Sequence, residues 1–218
     1  MFGFVEFLPL LLKGTVITIE LTVFSLAISL VIGLFVAFAR ISTNKLLSKA
    51  AGFYISVIRG TPLLVQLMYV YFVLPEIGIK LTPFMAALIG LSIYEGAYLA
   101  EIFRAGIHSV GKGQLEAAYS IGMNYSTAMR RIILPQAIKN VLPPMGNSAI
   151  LLLKNSSLAA VIAVNELMHT GEMLASSTFR NIEIFTLVAI IYWLLHYPMA
   201  KFVDSLERKM SYDSGSRH

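Results

Sequence analysis

The residue with the most to do chemically is Glu95, which stands about 14 residues into an apolar run beginning near Leu81. At the middle of a bilayer an ionisable side chain costs at least about 2.5 kcal/mol and marks a functional site. A carboxylate there can bind a cationic group, most strongly a guanidinium through paired charge-assisted hydrogen bonds. A second apolar run, reading the other way, brings Lys154, Asn155 and Ser157 to similar depth. A buried Glu95–Lys154 pair that only joins the two runs is therefore the competing reading. Phosphate chemistry is suggested by Gly106 to Lys112, which reads G-x4-G-K, but the next residue is Gly113, not the hydroxyl that would hold magnesium. The segment also follows an apolar run instead of a buried strand, so nucleotide hydrolysis is not expected of this chain. His169 and His196 are isolated and lack metal-ligand spacing, and no metal site is expected.

These residues need a membrane around them. The chain has 218 residues, 57% hydrophobic and only 13% charged, with a mean hydropathy of +0.75. That balance excludes a soluble domain. The absence of cysteine excludes disulfides and thiolate metal sites. No short apolar segment ends in a small-residue cleavage site, so no cleavable signal peptide is expected. Residues 1–210 read as a single membrane domain, and residues 211–218 as a tail whose Ser-Gly-Ser-Arg-His ending resembles an expression-vector remnant. Five runs reach the roughly 20 residues that a hydrocarbon core of about 30 Å demands: 10–40, 53–74, 81–105, 140–164 and 184–203. Lys45 and Lys49, then Lys112, Arg130, Arg131 and Lys139, then Lys201, Arg208 and Lys209 must share one side, which the positive-inside rule makes the cytoplasm. The N-terminus is then outside and the C-terminus inside. The net charge of +5 is a topology signal, and no nucleic-acid partner is expected.

Between the third and fourth runs lies the one polar stretch built to be gripped, about 108–138. Gln114, Leu115, Glu116, Ala117 and Ala118 favour a short helix, and Gly122 can take the positive φ that ends it. Asn124 to Ser126 supply turn and N-cap residues, and a second helix carries Ala128, Met129, Ile132 and Ile133 toward Pro135, where it is expected to break. Pro143-Pro144 are likewise expected to interrupt the fourth run, Arg59 with Pro62 to kink the second, and Glu101 with Arg104 to pair across one helical turn.

Glu116-Ala117-Ala118, Gly122, Ile132, Leu134 and Pro135 spell E-A-A-x3-G-x9-I-x-L-P, which resembles at every position the signature loop of membrane subunits of bacterial ATP-binding-cassette (ABC) importers. The blocks Arg59 to Gln66, Gly96 to Ile107 and Leu153 to Leu158 resemble the polar amino-acid uptake branch, close to basic amino-acid permeases. The resemblance implies an all-α, type I importer-like subunit of the bacterial cytoplasmic membrane with about five transmembrane helices and a cytoplasmic coupling helix. It implies pairing with a second permease subunit, expected to be identical, with two ATPase subunits that hold ATP and magnesium, and with an extracytoplasmic amino-acid-binding protein. No cofactor is expected in this chain. Gln114, Glu116, Ala117, Ala118, Gly122, Ile132, Leu134 and Pro135 would couple to the ATPase, and Glu95, Tyr98, Asn155, Ser157 and Leu158 would line the substrate site. Glu95 departs from the small or neutral residue usual before Gly-Ala-Tyr in these blocks. The expected function is import of arginine, lysine or histidine by alternating access. A neutral or acidic polar substrate with Glu95 paired to Lys154, an ion-coupled secondary transporter, and a non-transporting scaffold are the rivals; the absence of repeat symmetry argues against the second.

Overall fold

The computed structural model describes the backbone of residues 3–215 and the side chains of residues 6–210, so of the tail beyond 210 only the backbone of 211–215 is described. Among them every regular element is helical. Helix α1 (Gly3–Ile41) crosses the whole bundle. Its inner face is a seam of Leu11, Thr15, Thr18, Thr22, Ser25, Ser29 and Ala37, all buried. Thr15, Thr18 and Thr22 donate to the carbonyls four residues earlier at 2.8, 3.1 and 2.7 Å, which satisfies hydroxyls that lipid would leave bare. Lipid tails are as apolar as leucine, so helix association there depends on close packing of small residues. Helix α4 (Pro83–His108) uses the seam accordingly. A Cβ on Gly33 would lie 2.8 Å from Leu99 Cβ, and one on Gly96 would lie 2.7 Å from Ile32 Cγ2.

The second run is not one helix. Helix α2 (Lys45–Gly60) starts on an Asn44 cap that accepts from Leu46 and Leu47, and stops where Pro62 forces Thr61 into an extended conformation at φ −113°, ψ 142°. Helix α3 (Leu63–Met68) leaves at a bend of 103° and continues through a wide π-turn at Tyr69–Val73 and a 3-10 turn at Leu74–Ile77. The expected kink at Arg59–Pro62 is thus a corner, and the expected single span 53–74 is a bent pair. Gln66 stitches the corner: its amide donates to the Ile58 and Thr61 carbonyls and to Thr61 Oγ1, at 2.8, 3.1 and 2.8 Å.

Helix α5 (Lys112–Ser120) follows α4, and helix α6 (Tyr125–Ala128) opens on Asn124, whose side chain accepts from Thr127 at 2.9 Å. The chain then runs without interruption through a π-turn at Met129–Ile133 into α7 (Leu134–Asn155). Pro135 does not break this rod as expected. It falls in the first turn of α7, where a missing N–H costs little, and the wide turn before it makes room for the ring. Pro143 and Pro144 likewise lie inside α7, so the helix that carries the fourth span begins near Tyr125, well before residue 140. Past Asn155 the helix tightens to a 3-10 segment, Ser156–Ile162, that ends on Ala163 in the left-handed region. Helix α8 (Leu167–Thr178) crosses the end opposite α5, and α9 (Asn181–Gly215) returns along the outside. Among the described residues, four helices are long and apolar enough to cross a membrane, five if the bent pair is one span. Leu21, Leu63, Leu67, Leu91, Leu152 and Ile162 form the central core, while large side chains such as Phe35 and Phe202 face outward.

Candidate functional site

Glu95 is buried in the middle of α4 at 2% exposure, and its carboxylate accepts a hydrogen bond from Ser148 of α7. Lys154 is exposed, and no ion pair joins it to Glu95 among the described residues. The α7 residue level with Glu95 is Ser148, which donates to its carboxylate. Lys154 lies six residues farther along, about 9 Å at 1.5 Å per residue. The only signal for Ser148 in the sequence was its position on the apolar run, since which residue faces Glu95 is set by how α4 and α7 pack. Asn155, Ser157 and Leu158 stand at the junction where α7 becomes 3-10 helix, and Ser157 donates back to the Lys154 carbonyl at 2.7 Å. Tyr98, one turn from Glu95 toward α5, accepts from the Tyr94 hydroxyl at 3.1 Å. The five residues named from sequence are therefore spread over α4 and the end of α7 and do not converge on one point.

Next to Tyr98 is a charged cluster. Arg104 donates to both oxygens of Glu101, at 3.0 and 2.8 Å. Arg59, at the corner of α2 and α3, has its guanidinium 5.0 Å from the centre of the Tyr98 ring and only 4.0 Å from the nearer Glu101 oxygen. A guanidinium over an aromatic face is held electrostatically.

Beyond the path, at the end remote from α5, Glu166 is fully buried and caps α8. It accepts from the Met168 and His169 N–H groups at 2.8 and 2.7 Å, from Tyr192 at 2.9 Å and from Thr18 at 3.4 Å. Burial pushes its carboxyl above the usual range, and these hydrogen bonds pull the other way. Nothing in the sequence marked this node, because its partners come from positions 18 and 192.

At the other end, Gly122 has φ +79°, and its N–H and that of Met123 satisfy the Tyr119 and Ala118 carbonyls at 2.9 and 3.0 Å. A glycine in that conformation closes a helix while capping its last turn. Ala118 is buried along with Ala128 and Ile133, which leaves Gln114, Glu116, Ala117 and Pro135 exposed, and Ile132 and Leu134 half-buried. Tyr119, Ile121 and Tyr125 are exposed apolar side chains on the same knob. The G-x4-G-K stretch forms no phosphate loop: Gly106 is inside α4, where a Cβ would come within 2.1 Å of Val141 Cγ2.

A family model described as binding-protein-dependent transport system inner membrane component matches residues 29–212. The chain belongs to this family. Permease subunits of this kind leave ATP hydrolysis to separate ATPase subunits and work with a binding protein and a second permease subunit. The probable amino-acid ABC transporter permease protein YckA of Bacillus subtilis is 43% identical, over 95% of this chain and 92% of its own. The arginine transport system permease protein ArtQ of the same organism is 38% identical, over 93% of each chain. The glutamine transport system permease protein GlnP of Escherichia coli is 39% identical, over 93% of this chain and 94% of its own. A crystal structure of an amino acid ABC transporter with histidines superposes at a TM-score of 0.91 with 41% identity, over 94% of this chain and 96% of that one. The MetNI methionine ABC transporter, at 19% identity and a TM-score of 0.72, shares the fold.

Proposed function

We propose that this permease subunit carries a basic amino acid, arginine, lysine or histidine, into the cell by alternating access, as half of a homodimer. Relatives whose names include amino-acid, arginine and glutamine transport support an amino-acid substrate. Glu95 supports the basic side chain. It is a buried carboxylate in the middle of a span whose described partner is a neutral hydroxyl, so its charge is left for something that comes and goes. The change from α-helix to 3-10 helix after Asn155 fits the same use, since irregular backbone in a membrane protein is tolerated where it is buried in protein or lines a cavity. Basic residues gathered at the α5 end support a cytoplasmic coupling knob, with the N-terminus outside and the C-terminus inside. ATP and magnesium bound to the partner ATPases close them, the knob moves with them, and the helices reorient around the path from Tyr98 to Leu158.

The test is Glu95→Gln in the assembled importer in liposomes. Uptake of arginine, lysine or histidine should fall by about tenfold or more, the effect of losing a charge-assisted hydrogen bond of about 1.5 to 3 kcal/mol. Copurification with the ATPase should persist, since the amide keeps the carboxylate's shape. Undiminished basic amino-acid uptake would refute the assignment.

A further inference from the structure

We infer that Arg59 is the receiver for the substrate's α-carboxylate, which makes it a specificity-determining residue for amino acids over amines. The inference rests on the reading of the Glu95–Tyr98 path as an amino-acid path, but not on which side chain is carried. Glu101, the carboxylate beside Arg59, is already claimed by Arg104 through two hydrogen bonds at 3.0 and 2.8 Å. Arg59 stays 4.0 Å from it, with 42% of its side chain exposed. Among the described residues its guanidinium donates no hydrogen bond, so a planar fork of donors is held in place and unspent. Two features hold it. The chain turns 103° just after it, at Gly60–Pro62, and the Tyr98 ring lies 5.0 Å beneath its central carbon. Tyr98 is about one helical turn from Glu95 on α4, so the guanidinium over the Tyr98 ring and the buried carboxylate belong to the same stretch of that helix. Every α-amino acid brings a carboxylate, and a guanidinium binds that group through two parallel N–H···O bonds. Glu101 and Arg104, by neutralising each other, leave the Arg59 donors free for such a group.

The experiment compares amino acids with the amines left when their carboxylate is removed: arginine with agmatine, and glutamine with 4-aminobutanamide. Equilibrium binding of the radiolabelled compounds is measured on the purified permease–ATPase complex without binding protein. The native complex should bind each amino acid more tightly than its amine. Arg59→Gln should weaken the amino acid by about tenfold or more and leave the amine unchanged, closing the gap between them. Arg59→Lys should recover part of the gap. Glu95→Gln should instead weaken arginine and agmatine together. The inference is overturned if Arg59→Gln weakens acid and amine alike, which is the mark of a structural latch, or weakens neither, or if the native complex does not discriminate between them. If Arg59→Gln behaves as expected while Glu95→Gln changes nothing, the carboxylate receiver stands and the basic side-chain reading falls; the reverse pattern overturns Arg59 alone.

Discussion

Two carboxylates, one in each half of the bundle, are buried for different reasons. Glu95 meets one hydroxyl and Glu166 meets four donors from three helices. If Glu95 serves substrate, Lys154→Met should leave basic amino-acid uptake and the yield of folded protein near native, because the lysine is exposed and engages no carboxylate among the described residues. Loss of the protein in that variant would return Lys154 to a structural role. Glu166 gives a pH dependence. Its folded pKa lies above its ordinary 4.5, so the native state holds the proton more tightly than the unfolded chain. The corresponding stability is complete below 4.5 and is lost as pH rises through the folded value. The thermal midpoint of purified protein should therefore decline as pH rises upward from 4.5, and Glu166→Gln, which carries no charge, should flatten that slope; an unchanged slope would show that other groups set it. Of the two, only Glu95 was legible in the sequence. A charge inside an apolar run announces itself, whereas a carboxylate at a run's end looks solvated until two distant segments close over it.

Among the elements, the knob was the most legible because its signals are local. Gly122 adopts the positive φ that its place after a run of helix formers requires, and Asn124 caps the next helix. Gly122→Val puts a β-branched side chain into a left-handed conformation that costs about 1–2 kcal/mol for any L-residue. Membrane insertion should survive and copurification of the ATPase should be lost; normal partner binding would sink the docking role. The proline-bearing helices were misread for the opposite reason. Pro135 sits in a first turn after a π-turn, and Pro143 and Pro144 sit in a helix packed on its neighbours, so tertiary contacts decide what local sterics cannot. The α4–α7 contact is the clearest of these. A methyl on Gly106 would come within 2.1 Å of Val141 Cγ2, so Gly106→Ala should destabilise the folded protein by about 1–3 kcal/mol. Adding Val141→Ala should restore most of that loss in thermal unfolding, and strict additivity of the two changes would remove the contact from the argument.

At the scale of the molecule, the span count and the all-helical class followed from hydropathy, but the depth register did not, because where a helix starts depends on the corner or turn that precedes it. The rod from Tyr125 to Ile162 is the case with the largest consequence. Since neither Pro135 nor the proline pair divides it, the proposed docking knob and Asn155 belong to one continuous 38-residue member. Were the tight seat of Val141 on Gly106 its pivot, about 24 Å of helix would run from Tyr125 to that point and about 21 Å from there to Asn155. A lever with arms so nearly equal neither magnifies nor dissipates a stroke. An ATPase closing on the knob would deliver its displacement to the far half of the path at almost full size and in the opposite direction.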